Sequence, residues 1–258
     1  MPYPFLVPHA DLSISHGIPV VFYDQIGCGR STHLPEKSKE FWTVDFFKDE
    51  LDNLLAHLGV AGEFDLFGHS WGGMLAAEYA ATRQPRGLRR LVLADTPASM
   101  ELWEAAAEKL LARFPSELRD MLKRHEREGT TDAEEYQEGV MKFYRKHVCK
   151  VDPWPQEIIE AIEESERDET VYHAMWGPSE FYVTGSLKKW SIIDQIHTIS
   201  YPTLLINGAE DEAQDESVTP FVRKLPKVKW VQFAGSSHTP FYEEKERYIT
   251  VVDQFLTS

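Results

Sequence analysis

The stretch that decides the fold is residues 64–73, Phe-Asp-Leu-Phe-Gly-His-Ser-Trp-Gly-Gly. An apolar run of strand type at residues 64–67 ends at Gly68, and an alanine- and leucine-rich helical pattern follows from Met74. Strand, tight turn and helix in this order are the context of the G-x-S-x-G nucleophile elbow, which raises a serine above the end of a parallel strand. The stretch therefore predicts that Ser70 is a nucleophile.

Two glycines and a tryptophan give this turn its chemistry. A Cβ atom on Gly68 or Gly72 is expected to clash in so tight a turn, so glycine leaves the backbone free to raise Ser70. The helix that begins at Trp71 directs its first backbone N–H groups to the point where an oxyanion would develop. The backbone N–H of Trp71 is therefore a candidate oxyanion-hole donor.

Strand and helix patterns alternate on both sides of the elbow. Short apolar runs predict strands at residues 18–23, 64–67, 91–94, 203–207 and 229–233. Helical patterns lie at residues 46–58, 74–81 and 243–255. Such alternation predicts an α/β protein with a parallel sheet flanked by helices.

Residues 100–190 differ in pattern from the rest of the chain. They carry amphipathic helical patterns, at residues 102–114, 118–127, 136–147 and 157–166, and no strand pattern. The sequence thus predicts a discontinuous α/β core, residues 1–99 and 191–258, interrupted by a helical cap at residues 100–190.

Composition excludes several classes of function. The 258 residues include 42 Asp and Glu against 27 Lys and Arg, for a formal net charge of −15. This excess repels nucleic acid and anionic membranes, and no apolar run approaches the ~20 residues that span a bilayer. Cys28 and Cys149 form no disulfide framework and do not lie at zinc-ligand spacing. We expect a cytoplasmic protein with no metal or other cofactor; the oligomeric state is not predicted.

A serine nucleophile needs a base, and the base needs an orienting acid. In the chain order Ser, acid, His that goes with this elbow, His238 is the candidate base, because it lies between the last predicted strand and the last predicted helix. Asp211 is the candidate acid, since it follows the preceding strand after a turn at Gly208. The competing carboxylates are Glu210, Glu212, Asp215 and, after an earlier strand, Asp95.

Four segments together resemble the proline iminopeptidase (prolyl aminopeptidase) family of α/β-hydrolases. They are F-Y-D-Q-I-G-C-G-R-S at 22–31, G-H-S-W-G-G at 68–73, G-P-S-E-F at 177–181 and N-G-A-E-D-E at 207–212. The resemblance implies an α/β-hydrolase fold with a helical cap. It also implies a serine hydrolase that removes an N-terminal residue, often proline, from short peptides or acts on amino-acid amides. Ser70, Asp211 and His238 then form the catalytic triad.

The resemblance also suggests how a substrate is held. In the family two glutamates bind the free α-amino group of the substrate, and the matching positions here are Glu180 and Glu212. Paired carboxylates distinguish a free N-terminus from a chain interior through charge-assisted hydrogen bonds. Three aromatic residues of the cap are candidates for the wall of an apolar pocket that accepts a proline ring: Trp176, Phe181 and Trp190.

The sequence departs from the family at its N-terminal end. It lacks the H-G-G-P-G loop that supplies a second oxyanion-hole N–H. In the family, the strand that bears this loop lies between those expected here at 18–23 and 64–67, so a gap in the middle of the sheet is expected. A truncated chain is the favoured interpretation; direct pairing of the flanking strands and a strand supplied by a partner are the alternatives. Losing one oxyanion donor slows catalysis by about 10²–10³.

Two other functions compete with the aminopeptidase hypothesis. A carboxylesterase could use the same triad, although Glu180 and Glu212 would be an unusual lining for neutral esters. A catalytically silent binding protein is the third hypothesis, because of the missing loop. Ser70 argues against dehalogenases and epoxide hydrolases of this fold, which carry aspartate at the elbow.

Overall fold

The computed structural model describes residues 2–258 and contains a four-stranded parallel sheet. The strands are β1 (Phe64–His69), β2 (Leu88–Ala94), β3 (Thr203–Gly208) and β4 (Val228–Phe233), hydrogen-bonded in the order β1-β2-β3-β4. All three pairings are parallel, so the carboxyl ends of the four strands lie along one edge of the sheet. The α/β fold with a parallel sheet is therefore confirmed.

Helices account for most of the remaining chain. The α-helices are α1 (Asp11–His16), α2 (Val44–His57), α3 (Trp71–Thr82), α4 (Met100–Leu111), α5 (Ser116–Glu128), α6 (Glu134–His147), α7 (Gln156–Glu166), α8 (Thr170–Met175), α9 (Asp215–Lys224), α10 (Pro240–Glu243) and α11 (Lys245–Thr257). Short 3₁₀ helices lie at Tyr3–Ala10, Lys39–Phe41, Ser186–Lys189 and Ile196–Thr198. No helix within residues 2–258 is long and apolar enough to span a membrane.

The two central strands are covered on both faces. Alternate side chains of β2 enter different cores: Leu91 and Leu93 pack in the cluster that contains helices α3 and α9, while Val92 and Ala94 pack in the cluster that contains α11. A strand buried on both faces needs a continuous apolar run, which explains the sequence Leu-Val-Leu-Ala at residues 91–94. This packing fixes the ends of β2 and β3, from which the site is built.

Helices α4–α8 separate β2 from β3 along the chain. Helix α4 starts shortly after β2, where the hydroxyl of Ser99 accepts a hydrogen bond from the Leu102 amide at 3.3 Å. The apolar faces of α4, α5 and α6 meet in a separate cluster around Tyr136 and Phe143. The boundaries of a cap at residues 100–190 remain a prediction.

The strand predicted at residues 18–23 is wrong, because this segment has no regular secondary structure. Ile18 and Val20 instead pack against the cluster that contains Phe5 and Leu12, and the side chain of Val21 is 61% exposed. An apolar run becomes a strand only where a neighbouring strand completes its hydrogen bonds. Within the described residues β1 pairs with β2 alone, so no strand is next to it on the side where residues 18–23 were expected.

Candidate active site

Ser70 lies between β1 and α3 in a strained backbone conformation. Its φ and ψ are 52° and −120°, in a region that a residue with a side chain rarely adopts. Hydrogen bonds hold it there: the Ser70 amide donates to the carbonyl of Ala94 at 2.9 Å, and the Ser70 carbonyl accepts from Gly73 and Met74 at 2.9 and 3.0 Å. The hydroxyl therefore sits at the carboxyl edge of the sheet.

The sequence predicts that Gly68 and Gly72 are both sterically required. The structure supports this prediction for Gly68 only. A Cβ on Gly68 would lie 2.2 Å from the carbonyl oxygen of Gly72, so this position requires glycine, as expected. The expectation for Gly72 is wrong, because a Cβ there would meet nothing within 4 Å. Instead Gly73 is crowded, since its Cβ would lie 1.8 Å from Oγ1 of Thr96, in the loop after β2. The second steric constraint thus comes from the packing of α3 against the loop that follows β2.

Trp71 is the first residue of α3, and its amide has no carbonyl one turn earlier within the helix. This free amide is adjacent to Ser70, where it can donate to an oxygen that gains negative charge. The indole of Trp71 donates to the side chain of Gln25 at 3.0 Å and so connects the elbow to the loop at residues 22–31.

His238 and Asp211 form a close buried pair. His238 Nδ1 lies 2.6 Å from Asp211 Oδ1, which also accepts the Ala213 amide at 2.8 Å. The two loops that carry the pair pack tightly, since a Cβ on Gly208 would lie 2.2 Å from the carbonyl oxygen of Ser237. An imidazole held in this way has a fixed ring orientation, with Nδ1 carrying the proton and Nε2 free to act as a base.

The competing carboxylates are placed differently. Glu210 is half-exposed and faces Arg113 at 3.4 Å, and Asp215 accepts from the side chain of Asn207 at 3.0 Å. Asp95 is buried near Asp211, yet Asp211 is the carboxylate that accepts the hydrogen bond from Nδ1 of His238. Asp211 is thus the carboxylate in the position that an orienting acid requires.

His69 links Ser70 to His238. Its Nε2 lies 2.8 Å from the carbonyl oxygen of His238, and the two rings pack edge to face with centroids 4.6 Å apart. Burial lowers the pKa of His69 well below its usual value, with the nearby His238 adding to the effect, so this ring stays neutral.

The Ser70 hydroxyl has no hydrogen-bond partner among the residues described. The hydrogen bond between a nucleophilic serine and its histidine base often forms or shortens only when substrate binds.

Glu212 lies on the opposite side of the His238 ring from Asp211. Its side chain is 1% exposed, neither carboxylate oxygen has a hydrogen-bond partner within residues 2–258, and Oε1 is 3.8 Å from His238 Nε2. Burial raises the pKa of Glu212 well above its usual value, and the charges of Glu180 and Asp211 raise it further. A carboxylate in these surroundings lacks a positive partner.

Glu180 is held by aromatic residues of three helices. Its Oε1 accepts from the Tyr172 hydroxyl at 3.0 Å, its amide donates to the Tyr144 hydroxyl at 3.2 Å, and its carbonyl accepts from the Trp103 indole at 2.6 Å. Burial raises the pKa of Glu180, although the charge of His238 and the bond from Tyr172 partly oppose this. Glu180 and Glu212 therefore form a pair of interacting carboxylates beside His238.

The candidate pocket residues do not all lie together. Trp176 packs edge to face on Trp103 with centroids 5.5 Å apart, and Trp103 packs on His238 at 5.9 Å. Phe181 packs on Phe143 at 5.1 Å within the cluster of α4–α6. Trp190 donates to Glu78 of α3 at 2.7 Å. Only Trp176 is connected to His238 by these ring contacts.

Sequence reasoning missed several residues of the site. Trp103, Tyr144 and Tyr172 lie in α4, α6 and α8, where the sequence does not distinguish aromatic residues of a site from ordinary core residues. His147 has the sequence context of a charged helix, but it is buried at the end of α6. Its Nδ1 lies 2.7 Å from the Glu210 carbonyl, and its own carbonyl accepts from the His238 amide at 3.2 Å. It therefore ties α6 to both loops of the Asp211–His238 pair.

One group of side chains is close enough to share a cation. Oxygen atoms of Asp95 and Asp211 and a ring nitrogen of His238 lie within 4.8 Å of one another. However, the Nδ1 of His238 is engaged with Asp211 at 2.6 Å, and a cation would have to replace that hydrogen bond. Hydrogen bonding accounts for this pair, and we assign no metal ligand here.

Comparisons with known proteins agree with this geometry. A family model described as the alpha/beta hydrolase fold matches residues 1–245. The crystal structure of VinJ is 45% identical with a TM-score of 0.96, and the match covers 99% of this chain and 86% of that one. The chain is therefore an α/β-hydrolase.

Two further similar proteins indicate which family of α/β-hydrolases the chain belongs to. The proline iminopeptidase of Heyndrickxia coagulans is 35% identical over 240 residues, which are 93% of this chain and 82% of that protein. The crystal structure of proline iminopeptidase from Mycobacterium smegmatis is 42% identical with a TM-score of 0.92, covering 99% of this chain and 85% of that one. The chain belongs to the proline iminopeptidase family and is a hydrolase.

Proposed function

We propose that this hydrolase is a serine aminopeptidase that releases an N-terminal residue, with proline favoured, from short peptides or amino-acid amides. The observation that carries the proposal is the buried carboxylate of Glu212, which lacks a hydrogen-bond donor within residues 2–258 and lies 3.8 Å from His238 Nε2. A charge in such a place is stable only when a cation pairs with it. The α-ammonium group of a substrate is a cation located next to the carbonyl that a serine hydrolase attacks.

The chemistry follows from Ser70, His238 and Asp211. Ser70 Oγ attacks the scissile carbonyl carbon and passes its proton to His238 Nε2, while Asp211 holds the opposite side of the ring. The amide of Trp71 donates to the resulting oxyanion. The leaving amine takes the proton from His238, and an acyl-enzyme remains on Ser70. Water, activated by the same histidine, then hydrolyses the ester and restores the serine.

Glu180 and Glu212 provide the selectivity for a free N-terminus. The charge of Glu180 raises the pKa of Glu212, and an ammonium group between the two carboxylates would relieve this repulsion through charge-assisted hydrogen bonds. A peptide bond at the same position offers no positive charge. An internal residue of a chain would therefore leave two buried carboxylates unpaired, which disfavours endopeptidase activity.

Trp176 is the aromatic residue best supported as part of the pocket for the proline ring, because Trp103 connects it to His238. Phe181 and Trp190 remain candidates that act through the packing of the surrounding elements. A flat apolar wall next to the ammonium site favours a compact ring bonded to nitrogen over a long polar side chain.

Replacing Glu180 with glutamine tests the proposal. Loss of a charge-assisted hydrogen bond costs about 1.5–3 kcal/mol, so kcat/KM for a prolyl anilide is expected to fall roughly ten- to a hundredfold. Hydrolysis of an acetyl ester should be unchanged, because this substrate has no ammonium group. Glu101→Gln, at an exposed position of α4, is the control and should alter neither reaction.

The two substrates separate the competing functions. Equal loss on both substrates would show that Glu180 supports the triad or the fold instead of binding an amine. Ester hydrolysis with no detectable anilide hydrolysis by the unmodified protein would identify a carboxylesterase. Absence of both reactions, together with no labelling of Ser70 by a serine-directed phosphonate, would identify a catalytically silent protein.

A further inference from the structure

Asp95 is a buried acid that the proposed mechanism does not use. Asp95 follows β2 directly and is fully buried. Neither of its carboxylate oxygens has a hydrogen-bond partner within the described chain. Its φ of 54° is in the left-handed region, and its amide donates to the Ile206 carbonyl at 2.8 Å. A strained, fully buried residue with two unpaired oxygens needs an explanation.

The neighbouring Asp211 also has a buried carboxylate oxygen without a hydrogen-bond partner among residues 2–258. Its Oδ1 accepts from His238 and from the Ala213 amide, but its Oδ2 is buried without a partner among residues 2–258. Oxygens of Asp95 and Asp211 lie within 4.8 Å of each other. Three buried carboxylate oxygens of these two neighbouring residues therefore have no hydrogen-bond partner among the residues described.

The groups that face Asp95 do not compensate a negative charge. His69 Nε2 from β1 lies 3.6 Å away, but this nitrogen bonds the His238 carbonyl and burial keeps the ring neutral. Glu243 of α10 adds a second negative charge, and Tyr248 of α11 is a phenol whose pKa is raised by burial and further by the Asp95 charge. Within the described residues no lysine or arginine forms an ion pair with Asp95, and the nearby Gly208 amide only partly offsets the rise in its pKa.

We propose that Asp95 is a positioning residue that carries a proton and donates a hydrogen bond from its carboxyl group to Oδ2 of Asp211. A single proton then satisfies oxygens on both acids. Two adjacent carboxylates in a buried site share a proton because both cannot stay ionised. Burial raises the pKa of Asp95 well above its usual value, and the charge of Asp211 raises it further.

This arrangement acts on the reaction through Asp211 and rests on the triad of the proposed function. Asp211 would be held at both oxygens, by His238 and Ala213 on one side and by Asp95 on the other. Its carboxylate plane would then be fixed, and with it the direction in which His238 Nε2 points. Asp95 itself touches neither substrate nor the reacting atoms.

Two substitutions of similar size distinguish a protonated Asp95, which donates a hydrogen bond, from a charged Asp95. The side-chain amide introduced by Asp95→Asn keeps a hydrogen-bond donor and cannot ionise, whereas Asp95→Leu removes the donor. The rate of phosphonate labelling of Ser70 is expected to stay within about threefold for Asp95→Asn and to fall roughly ten- to a hundredfold for Asp95→Leu. Asp65→Asn, a strand carboxylate that faces Arg89 and Arg90, is the control and should not change labelling.

The pH profile of labelling gives a readout that a purely structural role would not change. If Asp95 must be protonated, the wild-type rate falls at alkaline pH as its proton is lost, and Asp95→Asn extends the active range upward. A fall at the same pH in both proteins would contradict the proposal. So would an Asp95→Asn protein as slow as Asp95→Leu, because this result would require a charged Asp95.

Infrared spectroscopy tests the proton without any catalysis. The difference spectrum of wild type minus Asp95→Asn at neutral pH should contain the carbonyl band of a protonated carboxylic acid. Only carboxylate bands in that difference would overturn the proposal, even if Asp95→Leu fails to fold. Failure of the proposed function appears separately, as a wild-type protein that shows the acid band but whose Ser70 is not labelled.

Discussion

Ser70 and Glu180 lie in regions of the molecule that are built in opposite ways. The conformation of Ser70 is set by neighbouring backbone, through hydrogen bonds to Ala94 and the start of α3. Glu180 is instead held by Trp103, Tyr144 and Tyr172, which come from α4, α6 and α8. The proposed nucleophile thus depends on a short local motif, while the proposed amine site depends on side chains far apart in sequence.

This difference has consequences for substitutions. A change at the elbow removes a reacting atom or a backbone conformation that nothing else can supply, so its effect should be nearly complete. The amine site spreads its interactions over several side chains, so each change should cause a partial loss limited to substrates with a free amine. Three predictions test this contrast, in order of decreasing effect.

The largest effect is expected for Ser70→Ala. This variant lacks the atom that attacks, so labelling by a serine-directed phosphonate should be abolished, which mass spectrometry of the intact protein measures. Ser116→Ala, in the first turn of α5, is the matched control and should label normally. Undiminished labelling of Ser70→Ala would place the nucleophile on another residue.

A smaller effect is expected for Tyr172→Phe. This change removes the hydroxyl that donates to Glu180 Oε1 at 3.0 Å and leaves the ring in place. Loss of one hydrogen bond to a charged group should lower kcat/KM for a prolyl anilide roughly tenfold, with no change for an acetyl ester. Tyr182→Phe removes a hydroxyl that bonds the Glu126 carbonyl at 3.3 Å and should not affect either substrate.

A uniform loss on both substrates would contradict the contrast between the two regions. Tyr172 would then support the whole site, and the amine-binding part would not be separable from the triad. An unchanged anilide rate would show that the bonds from Tyr144 and Trp103 are sufficient to hold Glu180.

The same contrast explains what the sequence could predict. Four of the five predicted strands and all the predicted helices are present, because their apolar patterns are local. The pattern at residues 18–23 failed because a strand also needs a neighbour, which local composition does not reveal. Helix α9 was not predicted, since it carries a proline and several charges.

In the candidate site, too, the sequence predicts the residues that follow strands but not those that depend on packing between distant segments. Ser70, Asp211 and His238 could be predicted as neighbours because each follows a predicted strand, and parallel strands end at one edge. Asp95 also follows a strand, but only the structure shows that it is buried without a partner beside Asp211. Trp103, Tyr144 and Tyr172 depend on helix packing across the interior, for which the sequence carries no periodic signal.

The smallest effect concerns stability and comes from Glu212, whose carboxylate has no hydrogen-bond partner within residues 2–258, whereas the amide and carbonyl of Ser70 are both hydrogen-bonded. Burial raises its pKa in the folded protein above the unfolded value of about 4.3. Its neutral form is therefore favoured by folding. The stability that depends on this form is fully present below the unfolded pKa and is lost as pH rises through the folded pKa. Glutamine stays neutral at every pH, so Glu212→Gln should avoid this loss.

Urea unfolding of wild type and Glu212→Gln at several pH values measures this difference in free energy. The two proteins should match near pH 4, and the variant should become the more stable one as pH rises, by up to about 1.4 kcal/mol for each unit by which the pKa is raised. Glu210→Gln, at the half-exposed neighbouring position, should follow wild type. The same Glu212→Gln protein should lose activity on a prolyl anilide, so stability and amine binding would move in opposite directions. A variant less stable than wild type at high pH would show that the Glu212 charge is already balanced within the folded protein, and the need for a substrate ammonium would disappear.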